Sequence, residues 1–221
     1  MNFDFDLAAS SFPILLIGAL VTIKITAISV ALGVVIGLVV GVARISQVKP
    51  LRLLAMAYID FLRGTPLLVQ IFLIYFALPV ISGQRVDPFF AAITACSINS
   101  GAYVAEIFRS GIQSIDKGQM EAGRSLGMTW LQTMWHIILP QAVKRVIPQI
   151  GNEFIALLKD SSLVSVIGFE ELTRSGQLII ARTYGSLEIW PCVAIIYLVM
   201  TLSISQLVAY LERRFRTDDK H

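Results

Sequence analysis

Long uncharged stretches recur along the chain at a spacing that suits a helical membrane protein. Four strongly apolar runs without Asp, Glu, Lys or Arg are 19, 21, 18 and 23 residues long, at positions 25–43, 64–84, 88–105 and 189–211. A helix needs about 20 mainly apolar residues to cross roughly 30 Å of hydrocarbon. A fifth apolar segment with helical spacing, 146–168, contains three charged residues. The pattern predicts an all-α membrane protein with five transmembrane helices.

The composition excludes several other classes of protein. Hydrophobic residues make up 56% of the 221 residues and charged residues 15%, and the mean hydropathy is +0.74. A typical soluble domain contains about 25% charged residues. A disordered tail and an ordinary soluble enzyme are therefore excluded. The net charge of +3 is too small to indicate a nucleic-acid partner.

The distribution of basic residues predicts the orientation of the chain. An external N-terminus and a cytoplasmic C-terminus place 13 of the 18 Lys and Arg residues on the cytoplasmic side and three outside. This asymmetry follows the positive-inside rule, and the opposite orientation would invert it. The 13 cytoplasmic residues are Arg44, Lys49, Arg52, Arg63, Arg109, Lys117, Arg124, Lys144, Arg145, Arg213, Arg214, Arg216 and Lys220.

Local signals refine the first half of the chain. Gly33, Gly37 and Gly41 are spaced by four residues, so they share one helix face and predict close packing with another helix. Residues 51–62 mix apolar and charged positions as in a helix that lies on the membrane surface. Thr65-Pro66 follows, and we expect Thr65 to cap a membrane-spanning helix in which Pro66 takes the first position.

The polar segment between the third and fourth predicted spans has a helix–turn–helix pattern. Residues 119–126 predict a short helix, and Gly127 stands where helices favour glycine at the C-terminus. Residues 129–132, Thr-Trp-Leu-Gln, form a capping-box pattern that begins a second helix with an apolar stripe. Pro140 then opens the run into the fourth span. A cytoplasmic loop at 116–140 is expected.

This loop resembles the EAA loop of the membrane subunits of ABC importers. The matching pattern is Glu-Ala-Gly, three residues, Gly, nine residues, then Ile-x-Leu-Pro. Its third position is glycine where the family usually has alanine. The resemblance implies that the loop docks on a separate ATP-binding subunit and transmits its closure to the membrane helices. The residues concerned are Glu121, Ala122, Gly123, Gly127, Ile137, Leu139 and Pro140.

Other stretches resemble one branch of that family, the importers of polar amino acids such as glutamine, arginine and histidine. They lie at 63–66, 74–76, 100–106, 151–154, 159–161 and 171–174, and residues 75–79 and 187–190 look most like glutamine permeases. The resemblance implies one permease domain over residues 1–221, with the type I importer fold, in a bacterial cytoplasmic (inner) membrane. The implied partners are an ATPase that binds ATP and Mg²⁺, an extracytoplasmic amino-acid-binding protein and a second permease subunit, identical or related.

Charged residues at membrane depth are costly, so each needs a partner, water or a substrate. We hypothesise that Asn99, Glu106, Glu153 and Asp160 line a polar path, with the carboxylates facing an ammonium or guanidinium group. Asn99 and Glu106 share one helix face, and Glu153 and Asp160 share another. In the alternative, Glu106 or Asp160 pairs with Lys24, Arg109 or Lys159 and joins helices.

The sequence leaves two questions open. Acidic residues favour a basic amino acid as substrate, whereas the local resemblance favours glutamine. An ion-gradient-driven secondary transporter would also suit buried carboxylates, but an internal repeat is not evident and the loop would be unexplained. The sequence has no Gly-Lys-Ser/Thr phosphate loop, no Ser–His–Asp set and no metal-ligand spacing. We therefore expect ATP hydrolysis to come from another chain, with no catalytic residue, metal or cofactor on this one.

Overall fold

The computed structural model describes residues 3–215, and every regular element in that range is helical. The predicted all-α class is therefore confirmed. Arg216 and Lys220, two of the residues expected on the cytoplasmic side, lie outside the described residues. The helices are α1 (Phe5–Ile45), α2 (Lys49–Gly64), α3 (Leu67–Ser82), α4 (Pro88–Gln113), α5 (Lys117–Ser125), α6 (Trp130–Thr133), α7 (Leu139–Asp160), α8 (Leu172–Thr183) and α9 (Ser186–Phe215).

Two of these helices, α1 and α9, are each long and apolar enough to cross a membrane. The pair α2 and α3 meets the same standard only when taken together, and it bends by 107° between them. Helices α4 and α7 correspond to the third and fourth predicted spans, but polar residues such as Asn99 and Lys159 lower their hydropathy. The five-span topology therefore stays a prediction.

The long helices α1 and α4 pack closely along the glycine face that the sequence predicts. A Cβ atom built on Gly33 would lie 2.9 Å from the Ser100 Cβ, and one built on Gly37 would lie 2.7 Å from the Val104 Cβ. Such distances leave no room for a side chain larger than hydrogen. Close packing at these glycines is thus confirmed, and it brings the polar residues of α4 beside α1.

The turn between α2 and α3 differs from the sequence prediction. Pro66, not Thr65, occupies the N-cap of α3, and it provides no side-chain cap. The Thr65 hydroxyl instead donates to the Phe61 carbonyl of α2 at 2.8 Å. Gln70 completes the corner, since its Nε2 donates to the Leu62 and Thr65 carbonyls at 2.8 and 3.1 Å. Gln70 therefore satisfies carbonyl groups at the end of α2, whereas the first N–H groups of α3 have no side-chain cap.

The second half contains two features that the sequence pattern did not reveal. The helical run through α7 ends at Asp160, and a 3₁₀ helix, Ser161–Ile167, follows it within the segment predicted as one span. Helix α8 occupies a stretch expected to be an external connection. Its buried residues are spaced as one helix face: Leu172, Ser175, Gly176 and Ile179. Helix α8 packs against α1 and α9 around an apolar cluster that includes Leu15, Leu158 and Ile189.

Candidate functional site

The loop at 116–140 forms two short helices joined by a glycine turn. Asp116 caps the N-terminus of α5, since its carboxylate accepts a hydrogen bond from the Gly118 N–H at 2.7 Å. Gly127, two residues after the last residue of the helix, has a φ of +82°. The Met128 N–H reaches back to the Gly123 carbonyl at 3.2 Å. The predicted glycine stop is confirmed, because side chains with a Cβ rarely adopt this backbone conformation.

The capping box at the start of α6 is also confirmed. The Gln132 N–H donates to the Thr129 hydroxyl at 3.2 Å, and the Thr129 N–H donates to the Gln132 side-chain oxygen at 2.8 Å. Helix α6 continues through a wider π turn, Met134–Ile138, directly into α7. Movement of the loop would therefore be carried along one helical run into the membrane domain.

Gly123 has a structural role that its alanine-like position in the motif did not suggest. A Cβ at this position would lie 2.6 Å from the Thr133 Cγ2 and 3.2 Å from the Ile137 Cδ1. Thr133 is completely buried, and its hydroxyl is held by the Thr129 carbonyl at 3.0 Å. Glycine at 123 therefore lets α5 pack against the start of the next helix with a threonine in place.

The outer surface of the loop presents apolar side chains. The exposed fraction is 82% for Leu126, 52% for Trp130, 67% for Leu131 and 67% for Trp135. Glu121, Ala122 and Pro140 are exposed, whereas Ile137 and Leu139 are half-buried. Large apolar side chains at this exposure on a polar loop are typical of a surface that another protein covers.

Glu106 lies in an ion-pair cluster at the end of α4. Its carboxylate accepts from Arg109 Nε at 3.0 Å and lies 3.9 Å from Arg44 Nε of α1. Arg109 also donates to Gln113. Glu106 thus pairs with Arg109 of its own helix, and its contact with another helix is to Arg44, which the sequence analysis did not name as a partner. These are the only ion pairs within residues 3–215.

Asn99 is buried and faces α3. Its Nδ2 donates to the Gln70 side-chain oxygen at 3.0 Å. Because Gln70 also holds the corner between α2 and α3, this contact joins three helices. Asn99 therefore has a structural partner within the chain and does not lie beside Glu106 in one cluster.

Glu153 and Asp160 on α7 have a different environment. Glu153 is half-buried with its carboxyl near the Ser100 hydroxyl of α4, and Asp160 is exposed. Neither forms an ion pair with a cation of the described chain, and Lys24 and Lys159 are both exposed. No ion pair within the described residues therefore neutralises either carboxylate.

A further carboxylate, that of Glu171, is completely buried, and the sequence analysis did not single it out by its own properties. It accepts from the N–H groups of Thr173 and Arg174 at 2.9 and 2.8 Å, and from the Tyr197 hydroxyl at 2.9 Å. The Thr22 hydroxyl lies 3.4 Å away. Glu171 thus joins α1, α8 and α9. The helical spacing of 172, 175, 176 and 179 was the signal that could have located α8 and its cap.

The described part of the chain offers little to a metal ion. Within residues 3–215, no three His, Cys, Asp or Glu side chains are grouped so that they could hold one. The candidate functional features of the described residues are the loop surface and the carboxylates of α7.

Sequence comparison identifies relatives that match over nearly the whole chain. The glutamine transport system permease protein GlnP of Escherichia coli (strain K12) is 45% identical over 217 residues, which is 98% of this chain and 99% of the relative. The arginine transport system permease protein ArtQ of Bacillus subtilis (strain 168) is 39% identical over 219 residues, 99% of this chain and 100% of the relative.

Solved structures agree with the fold. A chain from the crystal structure of an amino acid ABC transporter with histidines superposes with a TM-score of 0.94 at 46% identity, covering 97% of this chain and 100% of that chain. A chain of the inward-facing MetNI methionine ABC transporter has a TM-score of 0.77 at 22% identity over 92% of this chain and 97% of that chain, which supports the fold alone. Residues 33–217 match the family described as binding-protein-dependent transport system inner membrane component. The chain belongs to this family of inner-membrane transport subunits.

Proposed function

We propose that the chain is the transmembrane subunit of an ATP-driven ABC importer for polar amino acids, either glutamine or a basic amino acid. The observation that carries this proposal is the 45% identity to a glutamine permease over 98% of the chain. The 39% identity to an arginine permease makes a basic amino acid the second candidate substrate. Membership in a binding-protein-dependent family argues against a secondary transporter driven by an ion gradient.

In this function the chain forms one permease domain over residues 1–221 with five spans, an external N-terminus and a cytoplasmic C-terminus. The 107° bend before α3 supports part of this topology, because it lets α2 lie along the membrane surface while α3 enters the membrane. Five helices are few for a complete pathway, so the permease pairs with a second copy or a related chain. An extracytoplasmic binding protein delivers the amino acid.

The loop at 116–140 is the contact with the ATPase, which binds ATP and Mg²⁺. Its exposed Leu126, Trp130 and Leu131 supply an apolar surface, and Glu121 and Ala122 stand at the accessible side of α5. Closure of two ATPases would move both loops, and the helical run from α6 into α7 would carry that movement to Glu153. Hydrolysis would then reset the helices.

The transport path in this proposal includes Asn99, Glu106, Glu153 and Asp160 in two different roles. Glu153 and Asp160 have no cation partner in residues 3–215, so they contact the ammonium or guanidinium of the substrate. Glu106 and Asn99 hold α4 against α1 and α3 beside the path through their contacts with arginine and glutamine. The two roles are assigned by whether a cation of the described chain already pairs with the carboxylate.

Uptake into proteoliposomes tests the function. Vesicles would contain the chain with its ATPase, and would be offered the binding protein with labelled glutamine or labelled arginine, with and without ATP. ATP-dependent uptake of one label is expected, and the preferred label identifies the substrate class. Uptake that does not require ATP but depends on an imposed ion gradient would contradict the proposed ATP-driven function.

The Glu153→Gln variant tests the path. It keeps the shape of the side chain, so we expect normal folding and about a tenfold change in uptake kinetics, the size of one charge-assisted hydrogen bond. Glu212→Gln, an exposed change near the end of α9, is the matched control. Kinetics that stay unchanged for every amino acid tested would remove Glu153 from the path.

A further inference from the structure

An open apolar groove lies where the ends of α1 and α4 meet the start of α7. Its volume is about 500 Å³. The side chains that form its walls include Leu38, Val42, Phe108, Trp135, Leu139 and Val143. The groove lies beside the glycine-packed contact of α1 and α4, and its lining does not include Glu153 or Asp160.

The groove reaches from hydrocarbon depth to the membrane boundary. Leu38 and Val42 belong to the uncharged run 25–43, and Arg44 is the first charged residue after it. Trp135, on the opposite wall, is largely exposed. Tryptophan is enriched at the level of lipid headgroups, where its ring is partly apolar and its N–H is hydrated. The walls therefore match an acyl chain below and a headgroup above.

The rim of the groove is cationic. Arg109 lines it, and Arg44 lies across the shared partner Glu106, so the three side chains carry one net positive charge. The Arg44 Nη1 is buried and has no hydrogen-bond acceptor among residues 3–215. The Arg44 and Arg109 side chains as a whole are partly exposed, so a phosphate at the rim would complement both guanidinium groups in charge.

We propose that this groove binds an anionic phospholipid, with an acyl chain along Leu38, Val42 and Phe108 and the phosphate at Arg44 and Arg109. The apolar walls continue onto the exposed face of α1, which includes Val35 and Val39 and has lipid as its natural neighbour. Anionic lipid is attracted to basic residues at the cytoplasmic surface. The assignment to the cytoplasmic leaflet rests on the proposed orientation, whereas binding itself does not.

Fluorescence quenching measures this binding directly, because Trp135 forms a wall of the groove. The chain has three tryptophans, so Trp130→Phe with Trp190→Phe leaves Trp135 as the only one. The full chain would be placed in nanodiscs of phosphatidylcholine that contain a small, equal fraction of brominated phosphatidylglycerol or brominated phosphatidylcholine. We expect about a fivefold preference for phosphatidylglycerol, the effect of roughly one unit of charge near a membrane.

Two variants assign the site. Arg109→Gln should abolish the preference, while Arg52→Gln, an equal loss of charge at an exposed position of α2, should leave it intact. Val42→Phe should fill the groove and reduce quenching by both lipids.

Equal quenching by the two lipids would overturn the proposal, as would a preference that survives Arg109→Gln. Absence of quenching in both would mean that a protein surface, such as a second copy, covers the groove. Transport is not measured, so a failure here is distinct from a failure of the importer function.

Discussion

Glycines shape both the α1–α4 pair and the loop at 116–140, but they leave very different surfaces. Along α1 and α4, Gly33 and Gly37 bring the backbones together, and neighbouring residues such as Val104 and Ala105 are fully buried. In the loop, Gly123 and Gly127 form an equally compact turn, yet Trp130 and Leu131 stay exposed. The first contact is complete within one chain, whereas the second leaves large apolar side chains uncovered. The comparison separates residues that hold the subunit together from residues that, in the proposed function, contact a partner.

The largest effect is expected in the loop turn. Gly127→Pro cannot adopt the φ of +82°, because proline is restricted to about −65°. We expect loss of ATP-dependent uptake in proteoliposomes with normal insertion into the membrane. Gly127→Asn is the matched control, since asparagine tolerates this conformation. Uptake that persists in the proline variant at the level of the asparagine variant would show that the turn does not transmit movement.

Substitutions in the contact between α1 and α4 should change the free energy of unfolding. Gly37→Ala places a Cβ 2.7 Å from the Val104 Cβ and 2.9 Å from the Ala105 nitrogen, so we expect a loss of about 1–3 kcal/mol. Gly41→Ala makes only contacts of 3.5 Å or more and should be neutral or slightly stabilising. Thermal unfolding in detergent measures both. Equal melting temperatures for the two variants would contradict the close contact at Gly37.

A smaller effect is expected at Gly123. Gly123→Ala brings a Cβ against the Thr133 Cγ2, which we expect to weaken coupled uptake a few-fold. Thr133→Ser removes that methyl group but keeps the hydroxyl, which the Thr129 carbonyl holds and which would lie 2.9 Å from the new Cβ. The double variant should therefore recover part of the activity. If the loss of uptake in the double variant equalled the sum of the losses in the two single variants, the contact between residues 123 and 133 would not be the cause of the defect.

Local signals in the sequence were sufficient for the helical class and for most of the loop. The uncharged runs, the glycine stop at 127 and the capping box at Thr129 depend on residues within a few positions of one another, and the structure confirms the stop and the box. The glycine face of α1 was also predictable, because a spacing of four residues describes one side of any helix.

Contacts between distant residues could not be predicted in the same way. The partner of Asn99 is Gln70, 29 positions away, and the partners of Glu171 include Thr22 and Tyr197. Thr65 is a residue type that often caps helices. In the structure, the bend is instead held by Gln70, which donates to the Leu62 and Thr65 carbonyls. A polar residue at membrane depth signals a partner without identifying it, so its role depends on packing that one sequence does not specify.

Cross-linking of the loop to its ATPase tests the central claim most directly. Cys96 and Cys192 would be replaced by alanine, and a single cysteine introduced at Ala122 on the exposed side of α5 or at Gln84 in the connection after α3. A short bifunctional thiol reagent would then be applied to the assembled complex with and without ATP. The proposal predicts an ATP-sensitive cross-link to the ATPase from position 122 and none from 84. A cross-link from 84, or none from 122, would contradict the docking role of the loop and the orientation of the chain.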